Sequence, residues 1–184
     1  MNLVYQTFES PFGELCVVFQ QSATFPRIFR IFLSEPKTPA NQMVMSTFHR
    51  MEIVHDPQIK KLGQKFQKFL SGENISFALD NIALEICSPF QRKAILAEYK
   101  IPRGYISTYK RIAKAIGCVN GARAVGNAFA NNPFPIIIPC HRAIKTDGGL
   151  GGYQGGQAMK RQLLEYEGIE FTKAGKVTMS RVFY

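Results

Sequence analysis

The chain has 184 residues, enough for one compact unit or two small ones, with 46% apolar and 20% charged residues and no repeat or biased tract, which excludes a disordered or fibrous class. Twenty-three Lys and Arg against thirteen Asp and Glu give a net charge of +10. A surplus of that size gathers polyanions and makes nucleic acid the first partner to consider, a merely basic soluble surface being the other reading.

The opening "MNLVYQTFESPFGEL" has no basic start followed by an apolar run. No stretch approaches the ~20 apolar residues of a membrane span, so an intracellular protein with no membrane partner is expected. "LVYQTFESPFGELCVVFQ" carries two β-rich runs around Ser10, Pro11 and Gly13 and predicts a hairpin, with Cys16 in its core; "RIFRIFLSEP" adds a third strand. The Pro, Asn and Gln cluster from Pro36 to Gln42 reads as a loop. In "DPQIKKLGQKFQKFLSGE", Ile59, Leu62, Phe66, Phe69 and Leu70 fall on one helical face, and Gly72 stops the helix. "ISFALDNIAL" resumes extended structure, so the first ~85 residues form a small α/β piece.

From "SPFQRKAILAEYKIPRG" onward the pattern becomes helical. Ser88 caps a helix with Phe90, Ala94, Ile95 and Ala97 among its apolar positions. Thr108 caps "YKRIAKAIG", with Ile112, Ala115 and Ile116 inward and Gly117 closing it, and a further helix, "ARAVGNAFANNP", starts after Gly121. That helix buries Val125 and Phe129 and is otherwise nearly bare, with Ala122, Ala124, Gly126 and Ala130 beside Arg123 and Asn127. A helix, a glycine-bearing turn and a helix suggest a helix-turn-helix. Few long donors mean poor base reading in a major groove, but a bare helix can approach the minor groove closely. A pair packed for stability alone is the other reading.

"PFPIIIPCHR" then sets Cys140 beside His141 and Arg142. A thiol attacks as thiolate and needs a base or a positive field nearby. Neighbours on an extended segment point to opposite sides, so His141 is expected to act through a bridging water. The glycine run from Gly148 forms a loop in which Tyr153 offers a flat surface; it lacks the G-x-x-x-x-G-K-[ST] of a phosphate loop. The four cysteines, Cys16, Cys87, Cys118 and Cys140, include no C-x-x-C pair and the histidines are His49, His55 and His141 alone, so neither a zinc site nor a cofactor is expected.

Taken together, "SPFQRKAILAEYKIPRGYISTYKRIAKAIG", "ARAVGNAFANNP", "IPCHRAI" and "GGYQGGQAMKRQLLEYEG", with a fainter "SPFGEL", resemble the O6-alkylguanine-DNA alkyltransferases, or methylated-DNA-protein-cysteine methyltransferases, from about Ser88 to Gly168. The resemblance implies an α+β chain: a small ribonuclease-H-like α/β domain over residues 1–85 packed on a mostly helical domain over 86–184 with a helix-turn-helix. It implies a monomer acting on double-stranded DNA that contains alkylated guanine, and O4-alkylthymine as a further substrate. The base is flipped out and its alkyl group moves once, for good, onto Cys140. His141 would be the water-mediated base, Glu167 its orienting carboxylate, Asn132 the anchor of the reactive loop, and Tyr109 the proton donor to the departing guanine. Arg123 would fill the vacated stack, on a DNA-facing surface of Ala122, Ala124, Gly126, Asn127 and Ala130. Pro135, Tyr153, Gln154 and Phe129 would line the base pocket, Gln154 standing where many family members have serine. A non-catalytic protein that recognises alkylated DNA is the alternative, and retention of Cys140 argues against it; a sequence-specific helix-turn-helix regulator and a cysteine protease are weaker rivals.

Overall fold

A computed structural model describes residues 2–184, which form a mixed α/β protein with six α-helices and one four-stranded sheet. They divide into two compact units, Met1–Ile86 with Pro133–Ile137, and Cys87–Asn132 with Ile138–Tyr184.

In the first unit β1 (Leu3–Phe8), β2 (Leu15–Gln20) and β3 (Arg27–Leu33) are antiparallel neighbours. The β1–β2 turn closes by reciprocal backbone bonds between Ser10 and Gly13, the latter at φ +92°, where a side chain would be strained. The short β4 (Glu52–Ile53) adds in parallel to β1, giving the order β3-β2-β1-β4. Helix α1 (Ala40–Phe48) packs against β2 and β3, and α2 (Pro57–Leu70) against β1. A side chain at Gly63 would collide with the Phe8 ring, so the glycine sets how closely α2 approaches β1. Asp56 caps α2 by accepting from the Gln58 and Ile59 amides, and Pro57 follows at the first helical position.

Two sequence expectations fail here. Ala40–Gln42 belong to α1 and not to a loop: the helix starts after Pro39 with no side-chain cap, so it announces itself only through the buried Ala40 and Val44. "ISFALDNIAL" forms no regular strand; it makes a single bridge, Ile82 to Ile28, and passes into a 3-10 turn at Leu84–Ile86, with the turn-formers Asp80 and Asn81 interrupting it.

The second unit holds α3 (Pro89–Tyr99), α4 (Tyr109–Ala115), α5 (Ala122–Ala130) and α6 (Gly156–Tyr166). Ser88 and Thr108 cap α3 and α4 by accepting from the Gln91 and Arg111 amides, both at 3.2 Å. On α4 the buried residues are Ile112, Ala113 and Ile116, while Ala115 is exposed, which corrects the inward assignment. So short a helix buries i, i+1 and i+4. A two-residue parallel pair, β5 (Ser107–Thr108) with β6 (Ala143–Ile144), ties the entry of α4 to the segment that leaves the Cys140 turn. A small apolar core of Ile106, Ile144, Leu164, Ile169 and Val177 supports it. The C-terminal segment returns to the same place: Ile106 N donates to Arg181 O, Phe183 N to Ile106 O, and Tyr184 Oη to Ala97 O.

Candidate active site

Cys140 opens a 3-10 turn, Cys140–Arg142, and not the extended segment expected from its neighbours. Its own amide donates to Ile138 O and that of Arg142 to Pro139 O. Four residues upstream, Ile136 is held at φ +74°, a left-handed conformation that a β-branched residue adopts only when the surroundings impose it.

Around Cys140 the wall is polar. Asn132, 4% exposed and just beyond the end of α5, donates from Nδ2 to Cys140 Sγ at 3.2 Å and to Ile138 O at 3.3 Å, fixing the thiol and the approach to it together. Burial pushes the Cys140 thiol up to about 11; the Asn132 bond and the charge of Lys160 pull it down, and an ionised Glu98 adds to the rise. The resting group is therefore a thiol, and its ionisation must be coupled to a base.

His141 supplies a candidate. Its ring is fully buried, with Nε2 at 3.0 Å from Glu167 Oε1. Glu167 ends α6 and also takes a two-pronged contact from Arg142, Nε to Oε2 and Nη2 to Oε1, each at 2.8 Å. Burial, the largest influence on Glu167, raises its carboxyl, but His141 and Arg142 together outweigh it and hold the group at about 2. Glu167 is thus a carboxylate that only accepts, so Nε2 carries the ring proton and the basic lone pair sits on Nδ1. Burial keeps the ring neutral by lowering His141, against the opposing pull of Glu167. Arg142 Nη1 donates to Ile101 O, which anchors the group to the end of α3.

Tyr109, the first residue of α4, is brought to the same turn by the β5–β6 pair. Its hydroxyl accepts from Lys160 Nζ at 3.4 Å, and its ring meets Phe129 at 6.1 Å between centroids. Burial, then Cys140 and Glu98, raise its phenol, so it stays protonated and can donate. The glycine loop passes close by: a Cβ on Gly151, at φ +72°, would lie 2.6 Å from Tyr109 Oη. The Tyr153 ring stands edge-on to His141 at 6.2 Å, and Gln154 follows it, partly buried. Pro135 lies in the Pro133–Ile137 run that belongs to the first unit.

On α5, Val125, Ala128 and Phe129 face inward, while Arg123, Ala124, Asn127 and Ala130 are exposed and Ala122 and Gly126 partly so. Nothing lies within 4 Å of where a Cβ on Gly126 would be, so this glycine serves no internal packing. The structure thus brings Cys140, His141, Glu167, Asn132, Tyr109 and Tyr153 together and sets the α5 residues on an open face. Arg142 is partly buried in this unit as well, and Lys160 and Glu98 fully so. Sequence reasoning gave the last two no role, although Glu98 stands four residues after Ala94, and Lys160 beside Met159 and Leu163, on the inner stripes of their helices. Among the described residues no group of three or more His, Cys, Asp or Glu could hold a metal ion, and no helix is long and apolar enough to cross a membrane.

A family model described as "6-O-methylguanine DNA methyltransferase, DNA binding domain" matches residues 89–169. The chain is 35% identical over 169 residues to the constitutive methylated-DNA–protein-cysteine methyltransferase of Bacillus subtilis, covering 91% of this chain and 96% of that one. It is 41% identical over 111 residues to the enzyme of that name from Methanothermobacter thermautotrophicus, a match spanning 60% of this chain and 62% of the relative. Among solved structures, Mycobacterium tuberculosis OGT in complex with DNA matches with a TM-score of 0.68 and 30% identity, over 89% of this chain and 91% of that one.

Proposed function

Since the chain belongs to the methylated-DNA–protein-cysteine methyltransferase family, we propose that it repairs O6-alkylguanine in duplex DNA by moving the alkyl group onto Cys140 Sγ. The observation that carries this reading is one cluster in which the thiol and a carboxylate-oriented neutral imidazole share a buried turn and the phenol at the start of α4 is held by Lys160.

The reaction balances as follows. Cys140 gives its proton through a water to His141 Nδ1, and Glu167 stabilises the imidazolium so formed. The thiolate attacks the alkyl carbon, so that a C–S bond forms as the O6–C bond breaks and its electron pair passes to the guanine. Tyr109 meets that developing charge with its O–H, and the proton lost by the thiol ends on the released guanine. The thioether has no route back, so each molecule acts once. Asn132 holds the reactive turn; Tyr153, Gln154 and Phe129 line the base pocket.

For access to the base, α4 and α5 are read as a helix-turn-helix whose bare α5 face, Ala122, Ala124, Gly126, Asn127 and Ala130, enters the minor groove while Arg123 takes the place of the flipped nucleotide. The four-stranded first unit is read as ribonuclease-H-like, the working species as an intracellular monomer, and O4-alkylthymine as a second substrate. A purely recognising protein would have no use for an acceptor thiol in this setting.

Incubation with a duplex bearing one O6-methylguanine is expected to add the mass of a single methyl group to the peptide that contains Cys140, and Cys140→Ser to abolish transfer while still binding DNA. A methyl group that stays on the DNA in the presence of excess folded protein would refute the reading.

A further inference from the structure

Residues 181–184 take no part in the chemistry above, yet their bonds converge on the stretch that leads into Tyr109. Ile106 N donates to Arg181 O at 2.9 Å, Phe183 N to Ile106 O at 2.8 Å, and Ser107 Oγ to Phe183 O at 2.8 Å. Val182 pairs in parallel with Ile106, the residue just before β5, so a third extended segment lies against the two-residue β5–β6 pair. Its side chain packs on the apolar core of Ile106, Ile144 and Leu164. Tyr184 closes the arrangement: its Oη donates to Ala97 O at 2.9 Å, its main-chain oxygen accepts from Arg111 Nη1, and its ring meets that of Phe183 at 4.7 Å between centroids. One residue thereby joins α3, through Ala97, to α4, through Arg111. A strand pair this short is marginal by itself, so the added segment decides how firmly β5 is fixed. What β5 fixes is Tyr109: Thr108, its second residue, caps α4, and Tyr109 follows as the first helical residue.

We propose that residues 181–184 brace the entry of α4 and hold Tyr109 at the angle from which its O–H meets the departing guanine, with Tyr184 as the positioning residue that locks the brace. The proposal rests on Tyr109 serving that role in methyl transfer. Tyr184 acts through Tyr109 and does not touch the reacting atoms.

Phe183→Pro removes the amide that bonds Ile106 O, and Tyr184→Phe removes one hydroxyl and keeps the ring. Single-turnover methyl transfer from an O6-methylguanine duplex, run well below either variant's melting temperature, should slow about tenfold in Phe183→Pro and about threefold in Tyr184→Phe, because a small misplacement made far from the chemistry is felt at the reacting atoms. Affinity for an undamaged duplex should not change, a loss of rate without a loss of binding. Tyr109→Phe, which removes the proton donor and costs about a hundredfold by itself, supplies the deciding background. There Phe183→Pro should slow transfer by less than about twofold, since no hydroxyl remains to be aimed. A full tenfold loss in that background, or wild-type rates with only the melting temperature lowered, would overturn the brace and leave a packed tail. Iodoacetamide labelling of Cys140 involves no guanine, so both variants should label as wild type does, and slowed labelling would place the damage at the thiol and end the proposal. If Tyr109→Phe transfers as fast as wild type, the brace fails while Cys140 stays the acceptor. Absent transfer by the wild-type protein ends the repair reading and the brace together.

Discussion

Glu167 is where a single side chain does most for the site, since one carboxylate sets the tautomer of His141, clamps Arg142 and is itself buried. Replacing it by Gln removes the charge and keeps the shape, leaving the Arg142 guanidinium without its partner. Breaking a buried pair in this way costs about 3–5 kcal/mol, and loss of an oriented base costs about 10²–10⁴-fold in rate. Glu167→Gln is therefore expected to unfold well below wild type and to transfer methyl at least about a hundredfold more slowly in single-turnover assays. The pH dependence separates this from general damage. The folded carboxyl lies near 2, below its unfolded value, so its contribution is complete above the ordinary carboxylate range and disappears as pH falls towards 2. The gap between Glu167→Gln and wild type in denaturant midpoint should accordingly narrow on acidification, and a constant gap would deny the carboxylate its role. Glu98 runs the other way: its raised carboxyl makes the folded state bind the extra proton, so stability falls as pH climbs from about 4.5 to about 8. Glu98→Leu should thus raise the melting temperature more at pH 8.5 than at pH 5. At this scale the sequence was legible wherever a residue stood in a motif, as Cys140, His141, Asn132 and Tyr109 did. Glu98 and Lys160 stayed hidden because a charged residue on a helix is ordinarily solvated, and only their places on apolar stripes mark them as buried.

Helix α5 shows how an element can be shaped for something outside the fold. A glycine within a helix costs about 1 kcal/mol relative to alanine, and the space around Gly126 would admit a methyl group without contact. Gly126→Ala should therefore stabilise the protein by about 0.5–1 kcal/mol in thermal melts while weakening its binding to an undamaged duplex, by about tenfold, in fluorescence anisotropy. Stabilisation without any loss of affinity would show that no groove comes close to this face. Gly151 presents the opposite case: its φ of +72° and the proximity of Tyr109 Oη predict that Gly151→Ala costs stability and transfer together, which the same melts and a single-turnover assay would register. Element boundaries were readable where a cap stood in the chain, Ser88 and Thr108 each accepting from the first turn. The start of α1 has no such cap and was missed, and α4 is too short for its apolar phase to be fixed by periodicity, which is why Ala115 and Ala113 were exchanged.

Across the whole molecule the net charge proves to be unevenly divided in a way composition alone could not reveal. The second unit holds fifteen Lys and Arg against five Asp and Glu and so carries the entire surplus of +10, while the first has eight of each. Helix α2 nonetheless presents four exposed lysines, Lys60, Lys61, Lys65 and Lys68, so a basic ridge exists on both units and charge count does not decide which one meets DNA. Salt dependence does. Each phosphate contact releases counterions and adds about 0.9 to the slope of log affinity against log salt. Lys110 and Lys114 of α4 are exposed beside the bare helix, so neutralising each in turn should lower that slope by about 0.9 and weaken all duplexes alike, without regard to sequence. The triple change Lys61→Gln, Lys65→Gln and Lys68→Gln should leave the slope where it was, because those charges belong to a unit that is neutral overall and solvated on that face. Equal losses from both sets would mean that attraction is a property of the whole basic surface, and the α4–α5 pair would lose its claim to be the element that holds the duplex.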